Sequence, residues 1–283
     1  MSPEFASSNI DIDGLNICYE YRDGTGHPLL FFHATGFNKA VWYQVVKDIE
    51  NPIYLVDALG HGQSDHPQGD FYWDQTAKFL ASFIDTLTLT NIIGVGHSMG
   101  GQLMLSIAAQ RPDLFEQLIL LDPVVLPIEQ IKFLQSMTNS PISRRRNDWS
   151  SSQELFDTFT EKPPFSRWNK NVLKDYAKQA LTPNADTDRF TLACDPKLEA
   201  CVYRNLGAEP LLTKLENIHT PTHIIRARAR TQDDQAMSFD SSPTWPELVN
   251  KLPNATDEQI ADWSHFFPME HPEWLSEKIQ QFT

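Results

Sequence analysis

The chain has 283 residues, of which 41% are hydrophobic and 21% charged, a balance typical of a globular protein with a large buried core. Its 37 acidic and 23 basic residues give a formal charge of −14, which opposes non-specific attraction to nucleic acid or to an anionic membrane surface. No apolar run approaches the roughly 20 residues needed to cross a bilayer, so we expect no membrane insertion.

The N-terminal residues and the cysteines bear on the compartment. The first residues lack the basic-then-apolar pattern of a signal peptide, and residues 2–5 resemble a cloning remnant. Cys18, Cys194 and Cys201 have no metal-type spacing and cannot all pair with one another. We therefore expect a reduced, cytoplasmic setting.

Short apolar runs bounded by turn residues predict strands that are buried on both faces of a parallel sheet. In chain order these runs are Leu29–Phe32, Ile53–Val56, Ile92–Val95, Leu118–Leu121 and His223–Ile225. Two intervening segments, 71–86 and 99–110, have the spacing of helices, and Pro112 ends the second. This alternation predicts an α/β fold with a mostly parallel central sheet flanked by helices.

The pattern changes after residue 124. Residues 125–215 contain amphipathic helical stretches and many aromatics but no convincing buried strand, which predicts a helical cap inserted into a core formed by 1–124 and 216–283. The cap aromatics either line a pocket or pack the cap, and for most of them we expect packing; they are Phe133, Trp149, Phe156, Phe159, Phe165, Trp168 and Tyr176. The cationic run 144–146 is expected to be a solvated surface, because three adjacent arginines cannot all face one pocket.

The segment 96–100 reads Gly-His-Ser-Met-Gly, between the apolar run that ends at Val95 and a helix-like stretch. This is a Gly-x-Ser-x-Gly pattern in strand-turn-helix context, where the tight turn holds the serine hydroxyl exposed and the glycines leave room for strand and helix. The pattern predicts that Ser98 is a nucleophile. The alternative is a serine that merely completes a tight turn.

Four motifs together resemble the α/β-hydrolase superfamily: residues 32–37, residues 57–64, the turn at Ser98, and residues 264–266. In that superfamily the triad histidine comes last in the chain, which implies His265 as general base, after a last strand expected at 259–263. The resemblance also implies backbone N–H groups of Met99 and Thr35 as the oxyanion hole, with Ala34 departing from the more common His-Gly pair. An aspartate at position 98 would have pointed to epoxide hydrolases or dehalogenases, so the serine argues against both.

The acid of the triad has two candidate positions. Asp122 lies 24 residues beyond Ser98, directly after the predicted strand that ends at Leu121, where its carboxylate would orient His265. The later strand at 223–225 is followed by arginines, with Asp233, Asp234 and Asp240 further along the loop. We favour Asp122, with Asp234 second.

These residues predict a serine hydrolase that cleaves a small or medium, largely apolar carboxylic ester through an acyl-enzyme, with a small-molecule substrate and neither metal nor organic cofactor. Lactone, thioester and carbon–carbon bond hydrolysis use the same groups and stay open. A ligand-binding module that keeps the site but turns over little is the alternative from another class.

Overall fold

The structure is a computed structural model that describes residues 5–69, 72–136, 140–206, 209–235 and 238–283. Its strands are β1 (Ala6–Ile12), β2 (Leu15–Arg22), β3 (Leu29–Phe32), β4 (Ile53–Val56), β5 (Ile92–His97), β6 (Phe115–Leu121), β7 (Leu181–Pro183), β8 (Phe190–Leu192), β9 (Thr222–Arg226) and β10 (Ala255–Gln259). Its helices are α1 (Tyr43–Val46), α2 (Trp73–Thr86), α3 (Met99–Ala108), α4 (Ile128–Ser136), α5 (Ser152–Thr160), α6 (Lys170–Gln179), α7 (Pro196–Arg204), α8 (Glu209–Leu212), α9 (Phe267–Glu270) and α10 (Pro272–Gln280).

Eight strands form the central sheet, in the order β1-β2-β4-β3-β5-β6-β9-β10. β2 runs antiparallel to β1 and β4, whereas the pairings from β4 through β10 are parallel. The central strands are apolar because helices cover both faces of the sheet and keep water from them. The predicted fold class, a mostly parallel sheet flanked by helices, is confirmed.

Alternate residues of the central strands enter two separate hydrophobic clusters. Leu30 and Phe32 of β3 pack with α2 and α3 on one face, while Leu29 and Phe31 pack with α1 and α10 on the other. This division follows from the two-residue repeat of a strand, which sends successive side chains to opposite faces. As a result, β5 and β6, the strands that carry the candidate site, lie between two hydrophobic clusters.

The two edges of the sheet differ from the sequence-based expectation. β1 and β2 were not predicted. The last strand was expected at 259–263, but β10 spans Ala255–Gln259 and the chain then turns toward His265. β10 is an edge strand whose residues 256–259 are exposed, so its polar sequence gives no apolar signal for a strand. The helix expected at 71–86 begins at Trp73, and residue 71 lies outside the described part of the chain, as do residues 2–4.

The segment between β6 and β9 holds α4 to α8 and a small two-stranded sheet, β7–β8, of mainly partly buried or exposed residues. Most of its aromatics pack as expected: Trp149, Phe159, Trp168 and Tyr176 are buried. Phe133, by contrast, is 58% exposed. The assignment of 125–215 as a cap domain stays a prediction.

Within the described ranges, none of the helices combines the length and the apolar character that crossing a bilayer would require.

Candidate active site

Ser98 lies in a sharp turn between β5 and α3, with φ of 57° and ψ of −113°. Positive φ is costly for a residue with a side chain and persists only where the surroundings enforce it. Here the two flanking glycines allow it: a Cβ on Gly96 would lie 2.5 Å from the Gly100 backbone, and one on Gly100 would lie 2.2 Å from the Phe32 carbonyl oxygen. The Ser98 N–H donates to the Leu121 carbonyl at 3.0 Å, which ties the turn to β6.

The structure brings His265 to Ser98. His265 Nε2 lies 3.0 Å from Ser98 Oγ, and His265 Nδ1 lies 2.7 Å from Asp122 Oδ2. Because a carboxylate only accepts hydrogen bonds, Nδ1 carries the proton and Nε2 is left free to accept one from the serine hydroxyl. All three side chains are buried, so water competes little for these hydrogen bonds.

Asp122 directly follows β6, and its φ of 47° turns the chain out of the sheet. Its N–H donates to the Ile225 carbonyl of β9 at 2.7 Å. The oxygen that faces away from His265, Oδ1, accepts hydrogen bonds from the hydroxyls of Thr244, at 3.0 Å, and Ser242. Asp122 is fully buried, and these donors satisfy the carboxylate that burial would otherwise penalise.

The alternative acid, Asp234, is bound elsewhere. Its carboxylate accepts a bidentate interaction from the Arg228 guanidinium and a further hydrogen bond from the Thr231 N–H. These donors hold the pKa of Asp234 below its usual value. Asp240 is likewise engaged, by Arg167. Of the candidate acids, the structure brings Asp122 alone among the described residues into contact with His265.

His97, immediately before Ser98, supports the backbone of His265. Burial holds the pKa of His97 well below its ordinary value, so the ring is neutral. Its Nε2–H donates to the His265 carbonyl oxygen at 2.9 Å, and the two rings lie 4.8 Å apart between centroids. His97 is therefore placed to support the backbone of His265.

The predicted oxyanion hole consists of the backbone N–H groups of Met99 and Thr35. Within the described part of the chain, neither the Met99 N–H nor the Thr35 N–H donates a hydrogen bond. Met99 is the first residue of α3, where N–H groups have no partner in the helix and the helix dipole is positive. Thr35 follows β3 in a turn that packs against α3, since a Cβ on Gly100 would also meet the His33 carbonyl oxygen at 2.9 Å.

The turn that contains Thr35 is braced from the core side by His33. His33 Nε2 accepts a hydrogen bond from the Ala58 N–H at 3.1 Å, so Nδ1 carries the proton and donates to the Ala34 carbonyl at 2.8 Å. Burial lowers the pKa of His33, which keeps the ring in this neutral form. The neighbouring Asp57 also supports this region, because its carboxylate binds the side chain and the N–H of buried Lys39.

A cavity of about 530 Å³ opens over Ser98 and His265. Apolar atoms make up most of its lining surface, and the apolar side chains there include Val124, Leu126, Phe133, Leu134, Leu206, Phe239, Pro243, Trp245 and Pro246. Two arginines, Arg226 and Arg230, also line it. A volume of this size is within the range of small-molecule sites. Among the expected cap aromatics, Phe133 is the one that contributes to its wall in the described residues.

The arginine run at 144–146 does not form one solvated surface. Arg146 pairs with Glu154 at the surface, as expected, but the expectation is wrong for Arg145. Arg145 points inward and pairs with Glu199 of α7, whose side chain is only 6% exposed. A buried carboxylate needs such a counter-ion, and its partner was hidden because the two residues lie 54 positions apart in the chain.

Sequence reasoning missed several residues that support the site. Ser242 and Thr244 bind Asp122 from a loop with no recognisable motif, and the Glu199–Arg145 pair was not foreseen. Among the supporting residues, Lys39 alone had a signal in the sequence, because it lies two residues after the motif at 32–37 and the motif at 57–64 begins with an acid.

Across the described ranges, no group of three or more His, Cys, Asp or Glu side chains is arranged as a metal site.

Comparison with known proteins agrees with this fold. A family model described as the alpha/beta hydrolase family matches residues 29–278. A solved E-2-(acetamidomethylene)succinate hydrolase superposes with a TM-score of 0.74 at 23% identity, covering 99% of each chain, a likeness of fold.

The curated relatives either match a short stretch of this chain or match most of it at lower identity. A 2-(acetamidomethylene)succinate hydrolase of Mesorhizobium japonicum is 32% identical over 123 residues, or 43% of this chain and 44% of that protein. Haloalkane dehalogenase 2 of Mycobacterium tuberculosis is 23% identical over 266 residues, or 91% of this chain and 88% of that protein. The chain spans only 29% to 44% of the length of the curated relatives that it matches at 31% to 33% identity.

Proposed function

The chain belongs to the alpha/beta hydrolase family, and from that premise we propose that it is a serine hydrolase that cleaves a small or medium, largely apolar carboxylic ester. Members of this family act on small-molecule substrates. The observation that carries the proposal is the hydrogen-bonded series from Ser98 Oγ through His265 to Asp122, with distances of 3.0 Å and 2.7 Å.

In the proposed mechanism Ser98 Oγ attacks the ester carbonyl carbon while His265 Nε2 takes the hydroxyl proton. The carbonyl oxygen becomes an anion that the N–H groups of Met99 and Thr35 stabilise. His265 then gives its proton to the departing alcohol oxygen as the carbon–oxygen bond breaks. A water molecule then attacks the carbonyl carbon of the acyl-enzyme while His265 takes its proton. His265 returns that proton to Ser98 Oγ as the carboxylic acid is released. Asp122 holds the imidazole in the tautomer that can accept at Nε2 and stabilises the imidazolium.

The cavity supports the apolar substrate. Its wall is largely aliphatic and aromatic, and burying apolar surface there favours binding by about 25 cal/mol per Å². Halide displacement, the activity named for the mycobacterial relative, is not proposed because residue 98 is a serine and not a carboxylate.

The test is burst-phase hydrolysis of short p-nitrophenyl esters together with labelling by a fluorophosphonate and mass spectrometry. Wild type should give a burst and a single adduct at Ser98, and Ser98→Ala should lose both. Ser106→Ala, eight residues further along and within α3, is the matched control and should keep both.

Two other results would redirect the proposal. Labelling at Ser98 with turnover only of lactones, thioesters or diketones would keep the nucleophile and replace the substrate class. A folded wild type that neither turns over esters nor takes the label would refute the hydrolase mechanism and favour a ligand-binding module.

A further inference from the structure

The Glu199–Arg145 ion pair has no part in the proposed mechanism, although Glu199 contacts Gly36, the residue after Thr35. Glu199 is on α7 and its side chain is 6% exposed, while the Arg145 side chain is 29% exposed. Burial raises the pKa of Glu199 and the Arg145 guanidinium opposes that rise, so the carboxylate depends on Arg145 to keep its charge. In some proteins such a costly pair fixes a local arrangement.

The arrangement that this pair contacts is the backbone at Gly36. Gly36 has φ of +81°, and a Cβ there would lie 2.7 Å from Glu199 Oε1, so the carboxylate packs directly on the Cα. The Gly36 carbonyl accepts a hydrogen bond from the Tyr176 hydroxyl at 3.3 Å, and its N–H faces the Cys194 thiol. Three side chains from the segment between β6 and β9 thus surround one residue.

The space around this contact is nearly full. A cavity of about 10 Å³ remains between Gly36, Arg145 and Glu199, which is room for no more than about one water. α7 also packs on the neighbouring turn, since a Cβ on Gly60 would lie 2.4 Å from Leu198 Cδ2. The turn at Gly36 is therefore packed directly on the Glu199 carboxylate, with almost no free space around the contact.

Gly36 directly follows Thr35, one of the two proposed oxyanion donors. We infer that Glu199 and Arg145 are positioning residues, which hold Gly36 and through it aim the Thr35 N–H at the oxyanion. This inference rests on the proposed function, because it requires that role for Thr35. It also makes the segment between β6 and β9 a part of the catalytic geometry, beyond a cover for the substrate.

Removing one partner tests the inference. In Glu199→Gln the amide carries no charge for Arg145, and in Arg145→Met the carboxylate is left buried without a counter-ion. Each variant should lower kcat by about tenfold to 100-fold with KM little changed, less than the roughly 100- to 1,000-fold lost when an oxyanion donor is removed. Arg145→Lys, which keeps a cation, should retain more activity than Arg145→Met.

The chain offers a matched control in the Arg146–Glu154 pair, which has the same chemistry in the same segment but lies at the surface. Arg146→Met and Glu154→Gln should leave kcat within twofold of wild type. Fluorophosphonate titration separates positioning from folding: a positioning role slows labelling while the fraction labelled stays full, whereas a merely structural role lowers that fraction and leaves the rate constant unchanged.

Each outcome decides the matter. Slowed labelling with full amplitude in Glu199→Gln and Arg145→Met supports the inference. Variants that behave like the Arg146 control, or that lose amplitude alone, overturn it while the proposed function stands. Failure of wild type to label at Ser98 refutes the proposed function, and the positioning role falls with it.

Discussion

Replacing Asp122 by asparagine should remove most of the activity while leaving the fold in place. In the structure Oδ1 accepts from the Ser242 and Thr244 hydroxyls and Oδ2 accepts from His265 Nδ1. An asparagine that keeps both hydroxyl bonds presents its NH₂ group to Nδ1, which must then give up its proton. The proton moves to Nε2, and the imidazole can no longer accept from Ser98.

The neutral amide also fails to stabilise the imidazolium in either orientation. In Ser-His-Asp triads this change lowers kcat by about 10⁴, which corresponds to about 5.5 kcal/mol of lost transition-state stabilisation. We expect a loss of the same order for Asp122→Asn, because the carboxylate is fully buried and no other acid contacts His265 in the described residues.

The assay is kcat for a p-nitrophenyl ester alongside the thermal unfolding midpoint, with Asp234→Asn as the control. Asp234 binds Arg228 and makes no contact with His265, so its substitution should change kcat by less than about threefold. A variant at Asp122 that keeps more than a tenth of wild-type kcat, or an Asp234 variant that loses 100-fold, would show that the acid has been wrongly assigned.

Three further predictions concern the frame of the site. Lys39→Met strands the fully buried Asp57 carboxylate without its cation, and urea unfolding should show a loss of about 3–5 kcal/mol. Gly62→Ala places a Cβ 2.2 Å from the Asp57 carboxylate at φ of +53°, so the variant should unfold at least as readily as Lys39→Met in the same assay. Burial lowers the pKa of His61 to about 3, so the unfolded chain takes up a proton that the folded chain refuses. Stability should be complete above pH 6.5 and fall as the pH drops toward 3, and melting curves of His61→Gln should show a shallower fall.

The central strands could be predicted from the sequence better than the edge strands, for physical reasons. β3 and β5 are buried on both faces, so their apolar runs predicted them, whereas the polar edge strand β10 was placed four residues late. Ser98 was found because its turn demands glycines on both sides. The pairing of Asp122 with His265 rested on chain order, since a contact across 143 positions leaves no local pattern.

The side chains that brace the site were harder to foresee. Thr244 reaches Asp122 across 122 positions, and Arg145 reaches Glu199 from a run of arginines that as a group looks like surface. Neither position has a spacing or a neighbour that marks it as buried. Tertiary packing alone decides which arginine of such a run turns inward.

The position of Asp122 at the end of β6 has a consequence for how this enzyme can diversify. In the proposed triad the acid does not come from the chain after β9. In 229–235 that chain contributes Ala229 and Arg230 to the cavity wall. Part of the cavity wall therefore lies on a segment that contains none of the three proposed triad residues, whereas Ser242 and Thr244 further along both line the cavity and bind Asp122. We expect insertions or grafts at 229–235 to change which molecules are accepted while the proposed relay between Asp122, His265 and Ser98 keeps its hydrogen bonds.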